Sequence, residues 1–137
     1  MDMEITFPGG ARVDASFGPY TVQTDQPPMS GGSGSAPTPF AVFLASIGTC
    51  AGIYVLGFLR KRGLPTEGVS LHQRMRINPT TGMVSDIDLD IQVPPDFPEK
   101  YSEALIRTAE LCAVKKHFET PPKFNIKTRV HDLAISA

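Results

Sequence analysis

TPFAVFLASIGTCAGIYVLGFLRKRG, Thr38 to Gly63, is the stretch on which the fold turns. Thr38 offers a hydroxyl N-cap, Pro39 suits the first helical position, and Gly63 stops the helix behind the basic triplet Arg60-Lys61-Arg62. Between these signals, Phe40 to Leu59 runs for 20 residues without a charge, about the length that spans a bilayer. Ser46, Thr49 and the glycines at 48, 52 and 57 interrupt that run, and polar strands with turn signals flank it. It is read as the buried central helix of a globular protein rather than as a membrane anchor. The triplet then complements the negative end of the helix dipole.

Working outward, Met3–Phe7 alternates, Pro8-Gly9-Gly10 turns, and Val13, Ala15 and Phe17 alternate against Arg12, Asp14 and Ser16. Tyr20–Thr24 adds a third strand. Residues 27–37 form a Gly- and Pro-rich connection, read as a flexible surface loop or substrate lid, without the lysine of a phosphate loop. Beyond the helix, Val69–Ile77 and Met83–Val93 are paired strands around the turn Asn78–Gly82. Pairing Ile77 with Met83 sets Leu71 opposite Leu89, Val69 opposite Ile91, Arg74 opposite Asp86 and His72 opposite Asp88. Asp86, Asp88 and Asp90 do not begin a calcium loop, because Ile91 and Phe97 stand where that loop needs glycine and glutamate. Pro98–Leu111 reads as an amphipathic helix with Tyr101, Leu105, Ala109 and Cys112 on one stripe. Ala113–Phe118 adds a short turn of helix, and Phe124–Ile135 reads as a closing strand with Phe124, Ile126 and Val130 facing inward. The expected architecture is α+β, antiparallel strands around a long central apolar helix, in a single domain over residues 1–137.

The composition narrows the function classes. Thirteen basic and 14 acidic residues give a formal net charge of −1, which provides no footprint for nucleic acid or anionic membrane. The acidic start Met1-Asp2-Met3-Glu4 lacks the pattern of a signal peptide, so the cytoplasm is the expected compartment. There thiols are kept reduced, and a cysteine pair reads as redox-active rather than as a permanent staple. The three histidines and two cysteines show no close metal-ligand spacing, so neither a metal nor any other cofactor is expected.

The chemistry centres on Cys50 and Cys112. Cys50 lies more than two turns into its helix, beyond the reach of the N-terminal dipole, so a low thiol pKa requires help from elsewhere. Arg12, Lys115, Lys116 and His117 are the candidate cations, each otherwise readable as an ordinary solvated side chain. Two thiols far apart in sequence suit a cycle in which one attacks a peroxide to become a sulfenic acid and the other condenses with it to a disulfide. Phe43, Ile47, Ile53 and Tyr54, at helical spacing from Cys50, favour a substrate with an apolar tail if they line a pocket, or are plain core if they do not.

The run from Pro39 to Cys50, eleven residues apart, resembles the OsmC/Ohr family of organic hydroperoxide reductases. So does Glu110-Leu111-Cys112-Ala113-Val114 about 60 residues later, as does the order of elements along nearly the whole chain. The resemblance implies an OsmC-like fold built as an intertwined homodimer with sites between subunits. It implies Cys50 as peroxidatic thiol, Cys112 as resolving thiol, organic hydroperoxides as substrates, and a dithiol such as a lipoyl group as reductant. Arg12 matches the arginine that the best-known members hold against the thiolate. The glutamate that holds it is replaced here by Phe40, which joins Phe43, Ile47 and Tyr54 as substrate-pocket candidates. Phe40 also motivates a second expectation, a non-enzymatic dimer that binds an apolar small molecule between its subunits. In the intertwined homodimer that the resemblance implies, Ala41, Ala45, Gly48 and Gly52 offer small side chains for close helix approach.

Overall fold

The computed structural model describes residues 1–131. Strands β1 (Glu4–Gly9), β2 (Arg12–Phe17) and β3 (Tyr20–Thr24) form an antiparallel sheet in that order. Helix α1 (Pro39–Lys61) follows, then the antiparallel pair β4 (Ser70–Ile77) and β5 (Val84–Gln92), then α2 (Ser102–Ala109) and α3 (Ala113–Glu119). The α+β class and the long apolar helix stand as the sequence predicts.

Both ends of α1 are built by local chemistry. Thr38 Oγ1 accepts the Ala41 N–H at 3.2 Å, and Pro39 opens the first turn. At the other end Gly63 takes φ +64°, donating to Arg60 O at 3.2 Å while Leu64 donates to Leu59 O at 2.9 Å. Those are the paired bonds of a left-handed glycine closure, which a side-chain-bearing residue would strain. Arg60 and Lys61 sit in the last turn as expected. Arg62 instead stacks on aromatic rings. Its guanidinium lies 3.7 Å from the centre of the Phe58 ring and 5.6 Å from that of Tyr101, a cation–π contact that ties the helix end to the next segment.

One face of α1 buries Ile47, Ala51, Val55, Phe58 and Leu59. Val55, Phe58 and Leu59 form the core with Leu105 of α2, joined by Leu71 and Ile91 from the β4–β5 sheet. No residue of β1–β3 enters that cluster. The opposite face, Ala41, Ala45, Thr49, Ile53 and Gly57 at four-residue spacing, is exposed, and α1 is by length and composition apolar enough to cross a membrane. Gln73 pins β4 to α1, its Nε2 donating to Leu44 O at 2.9 Å. The close approach needs Gly48, where a Cβ would meet Gln73 Oε1 at 2.6 Å.

Four expectations are corrected. The β4–β5 ladder is slipped by two residues, pairing Leu71 with Ile91, Gln73 with Leu89 and Arg74 with Asp88, with a bulge between Arg76 and Ile77. The turn sets this register, because Asn78 Oδ1 accepts from Thr80 and Thr81 N–H while Asn78 N donates to Met83 O. An even slip leaves every side chain on its expected face. The charge pairs become Arg74–Asp90 at 2.8 Å and Arg76 with Asp86 and Asp88 at 3.1 and 3.0 Å, all exposed and worth little to stability.

The connection between β3 and α1 is tied down rather than free. The Asp25 carboxylate, 1% exposed, accepts from Gln26 N, Ser33 Oγ, Ser35 N and Ser35 Oγ at 2.6–3.0 Å. Hydrogen bonds from the Ser35 hydroxyl and amide, followed by the Gln26 amide, hold its pKa well below the usual carboxylate range. The helix expected over Pro98–Leu111 is a 3-10 turn (Glu99–Tyr101) leading into α2, and α2 stops at Ala109. Finally, residues 124–131 of the expected closing strand carry no regular structure, and the rest of it lies outside the described residues. Phe124, Ile126 and Val130 are 85–96% exposed, and among the described residues no strand runs beside them to complete a ladder.

Candidate active site

α2 ends through Glu110 N donating to Ile106 O and Leu111 N to Thr108 O, after which Cys112 (φ −48°, ψ 123°) leaves helical geometry and becomes the N-cap of α3. A new helix start exposes amide donors that have no partner within the helix, and here no side-chain oxygen caps them. Cys50 and Cys112 lie beside them: the Val114 and Ala113 amides act to lower the pKa of Cys50, and the Lys115 and Val114 amides act against the rise in that of Cys112.

The two free thiols are neighbours, and each acts on the pKa of the other. Cys112 is 2% exposed, with its Sγ 3.9 Å from Ile47 O as donor, while Cys50 is half-buried. The Val114 amide and then the Cys112 thiol lower the pKa of Cys50, outweighing the effect of burial. Burial, reinforced by the neighbouring Cys50, raises that of Cys112. The two shifts run in opposite directions, Cys50 toward the thiolate and Cys112 toward the thiol.

None of the candidate cations acts on Cys50 within this chain. Arg12 pairs with the buried Asp14 at 2.7 Å on β2, with Asp14 Oδ1 left without a partner. His117 Nδ1–H donates to Ala113 O at 2.7 Å, and Lys115 lies beside Cys112 on a groove wall. Phe40 is 55% exposed, stacked on Phe43 with ring centres 5.6 Å apart, and Phe43 meets Phe118 at the same distance. Ile47 is core at 6% exposed, and Tyr54 is half-buried. The structure thus brings Cys50, Cys112 and Ile47 together and leaves Arg12 in a separate sheet. Sequence reasoning missed the Ala113 and Val114 amides and also Phe118.

A groove of about 810 Å³ opens between α1, β5 and the α2–α3 segment, walled by Ile87, Leu89 and Ile91 on one side and Ile106, Cys112 and Phe118 on the other. Cys50 does not line it. Among the described residues, no cluster of His, Cys, Asp and Glu is placed to hold a metal ion.

Comparison with known proteins places this geometry. A family model described as OsmC-like protein matches residues 32–127, which include both cysteines and the whole of α1. No curated protein matches. Among solved structures, an osmotic stress induced and detoxification response protein from Psychrobacter arcticus 273-4 aligns with TM-score 0.69 and 21% identity over 83% of this chain and 85% of its own. An organic hydroperoxide resistance protein OsmC from Legionella pneumophila aligns with TM-score 0.51 and 20% identity over 86% and 89%. An organic hydroperoxide resistance protein from Vibrio cholerae gives TM-score 0.54 and 16% identity over 88% and 86%. The three share the fold, and the family match adds the descent: this chain belongs to the OsmC-like protein family.

Proposed function

We propose that the protein is a cofactor-free thiol peroxidase for organic hydroperoxides, within the peroxide-stress role that its family supports. The observation carrying this reading is the placing of both thiols at the start of α3, with Cys112 Sγ 3.9 Å from Ile47 O of the helix that carries Cys50, whose pKa the Val114 amide and the Cys112 thiol lower. The Cys50 thiolate attacks a peroxide oxygen, the O–O bond breaks, and the alcohol leaves after taking a proton. Cys112 gives up its proton and attacks the sulfur of the resulting sulfenic acid, the S–O bond breaks, and the leaving hydroxide takes up a proton to become water as a Cys50–Cys112 disulfide closes. A dithiol, such as a lipoyl group, returns both sulfurs to thiols. Treatment with cumene hydroperoxide is expected to give one intramolecular disulfide by mass spectrometry, and two unchanged thiols under excess oxidant would overturn the reading.

The lowered Cys50 pKa gives a second expected result. Its alkylation by iodoacetamide rises with pH to a plateau reached below the range of free cysteine, about 8.5, while Cys112 stays unreactive there. A Cys50 midpoint at or above the free value removes the case for a poised thiolate.

The same reading takes the protein as a cytoplasmic homodimer, in which Arg12 acts on the thiolate from across the interface. Support comes from the exposed apolar face of α1 and from the absence of β1–β3 from the core of the protomer. A Cβ built at Gly52 meets nothing within 4 Å, so a single chain accommodates a larger side chain there. Gly52→Leu is expected to shift the sedimentation of the protein from dimer to monomer. A dimer unaffected by it overturns this face as the interface. The second reading, a non-enzymatic binder of an apolar small molecule, is favoured by the groove and by exposed Phe40. Cys50→Ser separates the two, since ligand binding survives that change and turnover does not.

A further inference from the structure

Phe43 and Cys50, seven residues apart on α1, share one stripe of that helix and stand about 10 Å apart along its axis. α3 meets this stripe twice. The Val114 amide acts on Cys50, and four residues later the Phe118 ring lies 5.6 Å from that of Phe43. α3 therefore runs back along α1 from the thiol toward the rings. Phe40, one turn farther from Cys50, backs Phe43 with its ring 5.6 Å away and inclined at only 29°. Ile47, between Phe43 and Cys50 on α1, is buried core, whereas Phe43 and Phe118 are exposed and Cys50 is half-buried, so the two rings and the thiol all reach solvent. Three large aromatic side chains left open in one row beside a reactive sulfur form a surface that packing of the chain alone leaves unused.

We propose that Phe43 and Phe118 are specificity-determining residues that select benzylic hydroperoxides, in which an aromatic ring sits one carbon from the peroxide, over alkyl hydroperoxides. This rests on the peroxidase reading and adds the class of substrate preferred and the side chains that choose it.

The Phe43 and Phe118 planes are inclined at 55°, so a third ring meets the face of one and the edge of the other, the two arrangements that the quadrupole of an aromatic ring favours. Placed about 5 Å from Phe43 on the Cys50 side, that ring leaves about 5 Å to the sulfur, the reach of one carbon and a peroxide group. An alkyl tail gains only buried area from the same surface. An aromatic ring gains roughly a further two- to tenfold in affinity from the ring contacts themselves.

The test uses three tertiary hydroperoxides that differ in one group on the peroxide carbon: phenyl in cumene hydroperoxide, cyclohexyl in its saturated analogue, and methyl in tert-butyl hydroperoxide. Rate constants for oxidation of Cys50 in single turnovers of the full chain need no reductant. Dividing each by the rate with glutathione removes the intrinsic reactivity of the peroxide. The phenyl compound is expected to react at least tenfold faster than the methyl one and at least threefold faster than the cyclohexyl one, which matches it in bulk but not in aromaticity. Phe43→Leu and Phe118→Leu are each expected to lower the phenyl-to-cyclohexyl ratio at least twofold. A ratio taken within one protein cancels any general loss of rate caused by altered packing. A ratio near one in the unaltered protein, or one that either leucine variant leaves unchanged, overturns the assignment. If none of the three compounds oxidises Cys50, the peroxidase reading falls, and protection of Cys50 from iodoacetamide by the matching alcohols decides the aromatic seat. There 2-phenylpropan-2-ol is expected to protect at a concentration at least threefold below that of 2-cyclohexylpropan-2-ol, and equal protection overturns the seat.

Discussion

Cys50→Ser is expected to lower kcat/KM for an alkyl hydroperoxide by about 10³-fold or more, the scale on which loss of a covalent nucleophile acts in other enzymes. A serine hydroxyl is not ionised near neutral pH and forms no sulfenic acid, so nothing of the cycle remains. The exchange of sulfur for oxygen is nearly isosteric at a half-buried position, so the melting temperature moves little. Cys112→Ser is the companion: Cys50 is oxidised once and stops as a sulfenic acid that dimedone labels, with no disulfide. Stopped-flow peroxide consumption separates them, with no burst in the first variant and a single-turnover burst in the second. Sustained turnover by Cys50→Ser ends the peroxidase reading whatever the fate of the disulfide.

Leu59→Ala is expected to cost about 2–5 kcal/mol of unfolding free energy, the range for emptying a well-packed leucine site. Leu59 is 1% exposed and belongs to the cluster with Val55, Phe58 and Leu105, where α1 meets α2. Removing its side chain leaves a cavity that neighbours on three elements fill only partly. Ile53→Ala, at a position 60% exposed in the protomer, provides the contrast, with a cost within about 0.5 kcal/mol for the isolated chain. Urea unfolding at fixed protein concentration measures both. A Leu59→Ala cost below about 1 kcal/mol would contradict the packing of α1 on α2, and a large Ile53→Ala cost that depends on protein concentration would reveal a partner on the exposed face.

The elements legible in the sequence are those whose ends rest on local chemistry. Thr38, Pro39 and Gly63 bound α1 through bonds formed within a few residues, so reading them needs no tertiary information. The β4–β5 register was half legible. Alternation fixes which face a residue takes but is blind to a slip of two, which the Asn78 turn and the bulge at Arg76 decided. The helical pieces on either side of Cys112 are legible, Pro98–Leu111 and Ala113–Phe118, whereas the 3-10 start at Glu99–Tyr101 is not, because periodicity does not separate a 3-10 turn from the first turn of an α-helix. The site itself was legible as to its sulfurs and illegible as to what acts on them. Backbone amides belong to every residue but proline, and only the folded chain shows that those of Ala113 and Val114 point at Cys50. Its distance from the helix N-terminus makes a charged partner the expected source of a low Cys50 pKa, yet within the protomer the lowering comes from uncharged donors.

The start of α3 beside the two thiols also bears on the energy of a disulfide there. Its amides act in favour of the Cys50 thiolate, a charge that an oxidised pair lacks. Stabilising a thiolate in the reduced form raises the reduction potential of the pair, so these amides act to make a Cys50–Cys112 bond more oxidising than it would be without them. The same seven-residue helix would therefore register the redox state in its dynamics, with the amides of its first turn exchanging with deuterium faster in the oxidised protein than in the reduced one.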